Sequence, residues 1–217
     1  MIAMILAAGR GERLRPITDS VPKALVEVRG ENLIDRHLAM LAKAGAETVV
    51  INLGWLGESI VEHVGSGEQF GLQIVYSPEY DNVLETGGGI YRALPILGTE
   101  PFWVVNADIY TDLEIPGDEL ADDFDAELLL VDTPSHKANG DFGLVDKTVN
   151  NGPERSLTYG GIARYRPEFF ANSEEGRFSV VPLLRDAADA GKLGGSHFKG
   201  VWHDVGSPER LEALNRS

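Results

Sequence analysis

A basic, glycine-rich loop near the start of the chain carries the clearest chemical signal. The segment Leu6–Pro16 reads LAAGRGERLRP, and Lys23 follows after a second proline. Two glycines let the backbone approach a ligand closely and turn its N–H groups toward phosphate oxygens. Arg13 can bind a phosphate through parallel hydrogen bonds, and Lys23 can supply a point charge. Taken alone, the loop is either a phosphate-binding loop or an ordinary basic surface loop.

Two common phosphate-binding motifs are absent from this loop. It has no Gly-x4-Gly-Lys-Ser/Thr, so it is not a P-loop. Gly9 and Gly11 have the spacing of a dinucleotide fingerprint, but Leu14 stands where that fingerprint needs its third glycine. A nicotinamide-dependent oxidoreductase therefore fits poorly, and only tight binding of NADH would favour it.

Two aspartates follow strand-like segments that are far apart in the chain. Asp108 comes after the apolar stretch Phe102–Asn106, and Asp204 lies near the end of the segment Gly200–Val205. Ligands of open parallel sheets bind beyond the carboxyl ends of the strands, so these two carboxylates can converge on one face. Each one alone is more often a turn or capping residue.

Strands and helices must alternate to position these groups. In the first half, strands are predicted at Met1–Ala8, Thr48–Leu53, Leu72–Tyr76 and Phe102–Asn106, and helices at Asn32–Ala44, Leu56–Val64 and Gly88–Leu97. This order indicates right-handed βαβ units. Because the strands are continuously apolar, we expect a mostly parallel sheet that is covered on both faces.

The second half is less regular. Strands are predicted at Ala126–Val131, Phe142–Val145, Leu157–Tyr165 and Gly200–Val205, and helices at Ser179–Ala190 and Ser207–Asn215. The stretch Asp112–Asp125 is strongly acidic and is predicted as a solvated excursion. We expect one domain over residues 1–217.

Composition excludes several classes of function. The 217 residues include 19 basic and 34 acidic side chains, a net charge of −15, and no cysteine. Such a surface repels nucleic acid and anionic membranes, and disulfides, thiolate zinc sites and cysteine nucleophiles are excluded. No apolar run is long enough to span a bilayer, and Met1–Ala8 lacks the preceding positive charge of a signal peptide. We therefore expect a cytoplasmic protein without nucleic-acid or membrane partners.

The loop and its flanks resemble the signature of the sugar-1-phosphate nucleotidylyltransferases. That signature is Leu-Ala-Gly/Ala-Gly-x-Gly-x-Arg-Leu-x-Pro-Leu-Thr followed by Pro-Lys-x-Leu. The matching residues here are Leu6–Gly9, Gly11, Arg13, Leu14, Pro16, Thr18, Pro22, Lys23 and Leu25. The resemblance implies an α/β fold, a Rossmann-like three-layer αβα arrangement with a mostly parallel mixed central sheet (the nucleotide-diphospho-sugar transferase fold). Residues 1–112 would bind the nucleotide, and residues 113–217 the sugar.

The resemblance also implies roles for individual residues. Asp108 and Asp204 stand in the family's two magnesium-binding motifs and are expected to hold Mg²⁺; with Arg13 and Lys23 they form the expected catalytic set. The expected nucleotide-binding residues are Ala8, Gly9, Gly11, Glu12, Arg13, Lys23, Glu79 and Gly87. The carboxylate of Glu79 would accept the N3–H of uracil or thymine.

Sugar contacts are implied for Asp108, Asp141, Gly143, Tyr159 and Gly161. The sequence departs from the family at two points in this half. Gly160 stands where a Thr or Ser is usual, and the Glu-Lys-Pro sugar-phosphate motif is missing. Lys147, Arg155 and Arg164 are candidates to replace its lysine.

Within the family, the chain is most similar to the short type that uridylylates N-acetylmuramate 1-phosphate in cell-wall recycling. The similarity covers chain length and the segments Ile51–Leu56, Leu84–Gly89 and Gly140–Phe142. It implies Mg²⁺-dependent transfer of UMP from UTP to a sugar 1-phosphate, with release of pyrophosphate, by a monomer or small homo-oligomer. The alternatives are a thymidylyl- or guanylyltransferase acting on glucose or mannose 1-phosphate, and a non-catalytic regulator that binds nucleotide or sugar phosphate.

Overall fold

The main element of the fold is a nine-stranded sheet with strands from both halves of the chain. The computed structural model describes residues 1–80 and 82–216. The strands are β1 (Ile2–Leu6), β2 (Glu27–Val28), β3 (Glu31–Asn32), β4 (Thr48–Leu53), β5 (Gln73–Pro78), β6 (Phe102–Asn106), β7 (Ile109–Thr111), β8 (Ala126–Asp132), β9 (Gly143–Val145), β10 (Thr148–Asn150), β11 (Leu157–Tyr165), β12 (Leu193–His197) and β13 (Trp202–Asp204). The helices are α1 (Leu33–Lys43), α2 (Gly57–Val64), α3 (Glu85–Leu97), α4 (Val181–Asp189) and α5 (Pro208–Arg216).

The strand order of the main sheet is β5-β4-β1-β6-β11-β8-β12-β10-β9. The four strands of the first half are parallel to one another, as the βαβ pattern predicts. The long strand β11 is antiparallel to both of its neighbours, and β12 is parallel to β8. The sheet is therefore mixed, as expected. Two short pairs, β13 with β7 and β2 with β3, lie outside it.

Both faces of the sheet are covered, which is why a central strand such as β1 is apolar throughout. Met4 and Ile5 are adjacent in β1, and neither is exposed to solvent. Ile5 belongs to a core that includes Leu38 of α1, whereas Met4 belongs to a second core that includes Ile90 of α3. Successive side chains of a strand point to opposite faces, so helices must pack on each side.

Five strands of the structure escaped the sequence prediction. Four of them, β2, β3, β7 and β10, have only two or three residues. The fifth, β12, reads LGGSH, in which two glycines hide the apolar pattern of a strand. The acidic stretch Asp112–Asp125 contains no helix or strand, but it is anchored. Leu120 is buried, and the guanidinium of Arg166 donates hydrogen bonds to the carbonyls of Leu120 (2.9 Å) and Phe124 (3.0 Å).

The parallel register brings three strand ends together. Leu6 at the end of β1 lies opposite Asn52 of β4 on one side and Asn106 of β6 on the other. The segments that follow these strands therefore leave the sheet side by side. Among residues 1–80 and 82–216, no helix has the length and apolar character needed to cross a membrane.

Candidate active site

A cavity of about 220 Å³ lies at these strand ends. Its lining joins the glycine-rich loop to the end of β6 and the start of α3; it includes Ala8, Gly9, Gly11, Lys23, Asn52, Thr86, Asn106 and Asp108. The loop residues and Asp108 come from segments far apart in the sequence. Their meeting place is where open parallel sheets bind ligands.

Trp55 holds the glycine-rich loop in shape. Its backbone N–H donates to the carbonyl of Ala8 (3.2 Å), and its indole Nε1 donates to the carbonyl of Thr18 (2.8 Å). The guanidinium of Arg10 lies 4.2 Å from the centre of the Trp55 ring. Gly11 has a φ of +67°, a conformation that other residues rarely adopt, and its carbonyl accepts a hydrogen bond from the Thr18 hydroxyl (2.9 Å). Contacts with Trp55 therefore fix the loop at three points, Ala8, Arg10 and Thr18.

Lys23 and Asp108 form an ion pair at the edge of the cavity. The Lys23 Nζ contacts Asp108 Oδ2, and both side chains are mostly buried. The backbone carbonyl of Asp108 accepts a hydrogen bond from the N–H of Val205 (2.8 Å), so the segment carrying Asp204 is attached directly to this turn. The fold therefore brings the two predicted strand-end aspartates onto adjacent segments.

Asp204 has its own cationic surroundings. Its Oδ2 contacts Nη1 of Arg210, and its Oδ1 lies 3.8 Å from Nε2 of His136. These side chains line a second cavity of about 520 Å³, which also includes Trp202. Asp108 and Asp204 thus line separate cavities, each paired with a different basic residue.

The chemistry of this donor set fits a magnesium ion. No cluster of three or more potential metal-ligating side chains occurs in the described part of the chain. Mg²⁺ needs no such cluster, because it is usually bound by one or two carboxylates together with substrate phosphates and water. Asp108 and Asp204 supply two carboxylates from segments that are hydrogen-bonded to each other.

Glu79 lies in a buried hydrogen-bond network beside the first cavity. Its Oε1 accepts a hydrogen bond from Nδ2 of Asn52 (2.8 Å), and its Oε2 accepts one from the N–H of Leu84 (2.8 Å). Asn52 Oδ1 in turn accepts from the N–H of Ala7 (2.6 Å). Glu79 is only 1% exposed and does not line the cavity. Its contact with a base stays a prediction, and the network around it was not visible in the sequence.

The glycines at the start of α3 are explained by close protein packing. A Cβ on Gly87 would lie 2.4 Å from the ring of Phe178, and one on Gly88 would lie 2.1 Å from the carbonyl oxygen of Gly176. The Gly88 N–H already donates to the Phe178 carbonyl (3.0 Å). Gly87 does not line the cavity, whereas Thr86 does. The nucleotide contact of Gly87 remains a prediction.

Two other predicted nucleotide ligands, Glu12 and Arg13, are exposed and lie outside the lining of the first cavity. Arg13 is close to the Asp204 cluster instead. One of its guanidinium nitrogens, Nη2, is 3.5 Å from the point where a Cβ on Gly206 would lie. No ion pair of Arg13 occurs among residues 1–80 and 82–216.

The predicted sugar-binding residues are only partly brought together. Asp141 accepts hydrogen bonds from Lys137 Nζ (2.7 and 2.8 Å) and from the N–H of Tyr159 (3.1 Å). Burial raises the pKa of Tyr159 to about 12, so its hydroxyl stays neutral. Gly161, with a φ of +74°, packs against Asn106 at the rim of the first cavity, whereas Gly143 packs against Asn150.

Arg164 is a structural residue. It is 6% exposed, donates to Glu127 Oε2 (2.9 Å) and to the carbonyl of Asp118, and stacks on Trp103. Burial and pairing leave it no role as a replacement for the missing sugar-phosphate lysine. The other two candidates, Lys147 and Arg155, are exposed.

A buried histidine supports the turn that carries Asp108. His37 of α1 is 1% exposed and lies close to Ala107 and Asp108. Burial lowers the pKa of His37 to about 4, partly offset by the Asp108 charge. The ring is therefore neutral at pH 7 and packs as part of the core.

Comparison with known proteins establishes the family. A protein-family model described as nucleotidyl transferase matches residues 2–154. The chain belongs to the nucleotidyl transferase family. It is 44% identical to the N-acetylmuramate alpha-1-phosphate uridylyltransferase of Neisseria meningitidis, covering 98% of this chain and 96% of that protein. It is 38% identical to the protein of the same name from Caulobacter vibrioides, covering 96% and 93%.

A solved structure confirms the fold. The structure titled as a putative glucose-1-phosphate thymidylyltransferase from Bacillus anthracis superposes with a TM-score of 0.85 and covers 100% of this chain and 94% of its own. Its sequence identity is 20%, so the likeness shows the shared architecture alone. The nucleotidyltransferase class and the fold predicted from the sequence are both confirmed.

Proposed function

We propose that this enzyme transfers UMP from UTP to N-acetylmuramate 1-phosphate and releases pyrophosphate. The observation that carries the proposal is the meeting of the glycine-rich loop, Lys23 and Asp108 in one cavity at the strand ends. The two similar uridylyltransferases support the choice of substrates, because their similarity extends over nearly the whole chain. Nucleoside triphosphates are held inside cells, so we place the reaction in the cytoplasm.

The reaction is an in-line displacement at phosphorus. An oxygen of the sugar 1-phosphate forms a bond to the α-phosphorus of UTP, and the bond from that phosphorus to the bridging oxygen of the β-phosphate breaks. Pyrophosphate leaves with the bonding electrons. A phosphate monoester has a second pKa near 6 and is mostly dianionic at pH 7, so the nucleophile needs no general base. The difficulty is instead repulsion between anions, which positioned cations reduce.

The loop residues supply that positive charge. Lys23 would neutralise oxygens on the α-phosphate or the sugar phosphate, and Arg13 would pair with the departing pyrophosphate. Backbone N–H groups between Ala8 and Glu12 would cradle the triphosphate. When bound to Asp108 and Asp204, Mg²⁺ would neutralise phosphate charge and polarise the phosphoryl oxygens.

The two halves of the chain would divide recognition between them. Residues 1–112 would hold the nucleotide, with Gly87 and Glu79 near the base. Residues 113–217 would hold the sugar through Asp141, Gly143, Tyr159 and Gly161, besides Asp108. We expect a monomer or a small homo-oligomer.

The test is pyrophosphate release across a grid of nucleotides and sugars. UTP, dTTP, GTP, CTP and ATP are each combined with N-acetylmuramate, glucose, mannose and N-acetylglucosamine 1-phosphates, with Mg²⁺. We expect one strong combination, UTP with N-acetylmuramate 1-phosphate. Another strong combination would change the substrates but keep the reaction class. Silence from folded protein that binds nucleotide would refute the proposal and favour a non-catalytic regulator.

Two variants test the site itself. Removing one charge-stabilising group from a transition state typically costs about 10²–10³ in rate. Asp108→Asn and Lys23→Ala should each lose at least that factor while keeping the unfolding transition of the parent. Lys43 serves as the matched control, because its side chain is 72% exposed and pairs with Glu114, and Lys43→Ala should keep near-normal turnover. Near-normal turnover in both Asp108→Asn and Lys23→Ala would refute the assigned roles.

A further inference from the structure

Two arginines converge on Gly206, next to Asp204. A Cβ at Gly206 would lie 2.8 Å from Nη1 of Arg210, 3.0 Å from Oδ2 of Asp204 and 3.5 Å from Nη2 of Arg13. Arg210 comes from the first turn of α5, and Arg13 comes from the glycine-rich loop. A loop and a helix that are far apart in the chain therefore place guanidinium groups around one residue that has no side chain.

The charges in this cluster do not cancel. Arg210 is paired with Asp204, and Arg13 has no carboxylate partner in the described part of the chain. The ring of His136 lies nearby, with its Nε2 3.8 Å from Asp204 Oδ1. In a protein with a net charge of −15, an excess of positive charge at one point is a locally built anion site.

Asp204 also has two competing partners. As a carboxylate that fits a metal ion, it must release Arg210, at least in part, when the ion binds. The Arg210 side chain is 29% exposed, and Arg13 is exposed. An anion from solvent can therefore reach the Arg210 guanidinium once it has left Asp204. Guanidinium groups bind phosphate oxygens through paired hydrogen bonds, which a single lysine cannot do.

We propose that Arg210 is a second phosphate-binding residue of the enzyme, which pairs with Asp204 in the resting state and joins Arg13 on the pyrophosphate group when metal and nucleotide bind. The proposal rests on the proposed function for the identity of the anion. Gly206 keeps the space between the two guanidinium groups open. Arg210 thereby couples the metal-binding carboxylate to the departure of pyrophosphate.

The first experiment measures binding of inorganic pyrophosphate by calorimetry, in saturating Mg²⁺ and without nucleotide or sugar phosphate. Arg210→Met should weaken binding about ten- to hundredfold, the range for losing one charge-assisted hydrogen-bonding group. Arg210→Lys, which keeps the charge but not the paired geometry, should fall between. Arg216→Met is the matched control, because Arg216 lies in the same helix but pairs with Glu212. It should change affinity less than twofold.

The second experiment measures binding of Mn²⁺ to the protein without nucleotide, by electron paramagnetic resonance. Removing Arg210 frees Asp204, so Arg210→Met should bind Mn²⁺ about fivefold more tightly. The same variant thus gains affinity for the cation and loses affinity for pyrophosphate. A residue that only stabilises α5 would not move the two affinities in opposite directions.

The outcomes are separable from those of the proposed function. Unchanged pyrophosphate affinity in Arg210→Met, or an equal loss in Arg216→Met, would overturn the role of Arg210 even if the substrate grid gives a product. Gly206→Ala provides a second variant, since its Cβ would lie within 3.0 Å of both Arg210 and Asp204. It should weaken pyrophosphate binding while the unfolding transition stays cooperative. Tight binding in Gly206→Ala would also contradict the proposal.

Discussion

Glu79, Asn52 and Ala7 are joined by buried hydrogen bonds. We expect two single variants in this network to lose stability, and the corresponding double variant to regain it. Asn52 must turn its carbonyl oxygen toward the N–H of Ala7, which leaves its NH₂ group facing Glu79. Glu79 must then accept hydrogen bonds at both oxygens, one from Asn52 and one from Leu84. Only a carboxylate accepts at both ends.

Each single exchange breaks this pattern. Glu79→Gln places an NH₂ group opposite either Asn52 or the Leu84 N–H, so one buried donor loses its acceptor; we expect a cost of about 2 kcal/mol. Asn52→Asp places two carboxylates 2.8 Å apart in a site where neither residue is more than 2% exposed. We expect that variant to lose about 3–4 kcal/mol at pH 7.5.

The double variant Asn52→Asp with Glu79→Gln exchanges the positions of the amide and the carboxylate. The carboxylate introduced at position 52 would accept from the N–H of Ala7 and from the amide introduced at position 79. The carbonyl oxygen of that amide would accept from the N–H of Leu84, so all three hydrogen bonds return. We expect the double variant to lie within about 1 kcal/mol of the parent, which is a coupling energy of about 4–6 kcal/mol.

The measurement is the free energy of unfolding in urea at pH 7.5 for the parent, both singles and the double. Additive losses would refute the reasoning, because they would show that the two side chains do not share a hydrogen bond. The pH dependence is a further check. Two facing carboxylates raise the pKa of one of them, so the loss in Asn52→Asp should shrink as the pH falls from about 8 to about 5.

Three further predictions concern packing, pH and metal. Gly88→Ala puts a Cβ 2.1 Å from the Gly176 oxygen, so it should lower the free energy of unfolding in urea by about 1–3 kcal/mol. Gly9→Ala is the control: its Cβ would have no atom within 4 Å, and the variant should unfold like the parent. Because burial lowers the pKa of His37 from 6.5 to about 4, the unfolded chain binds the proton more readily between those values. Stability should therefore fall by up to about 3 kcal/mol as the pH drops through that window, and urea titrations of His37→Leu should lose this component. EDTA should abolish pyrophosphate release and added Mg²⁺ should restore it; activity that survives EDTA would contradict the role given to Asp108 and Asp204.

Local patterns were enough to predict most of the architecture. Thr48–Leu53, Phe102–Asn106 and Leu157–Tyr165 have the predicted bounds, because a strand that is buried on both faces is mostly apolar. The glycine-rich loop's contribution to the cavity was also predictable, since the residues by which it lines the cavity belong to one continuous segment. β12 was missed because its own sequence, LGGSH, lacks the apolar pattern of a strand, and it is buried by the neighbouring parts of the structure.

Tertiary structure decided which charges meet. No rule of sequence spacing predicts three of the pairs in the structure: Lys23 with Asp108, Arg210 with Asp204, and Glu79 with Asn52. The fold class and the residue types available at the strand ends could be predicted from the sequence alone, because these depend on local periodicity and on glycine placement. Only the folded chain determined that the α3 glycines face protein and that Arg210 reaches Asp204, because those contacts depend on how separate segments pack together.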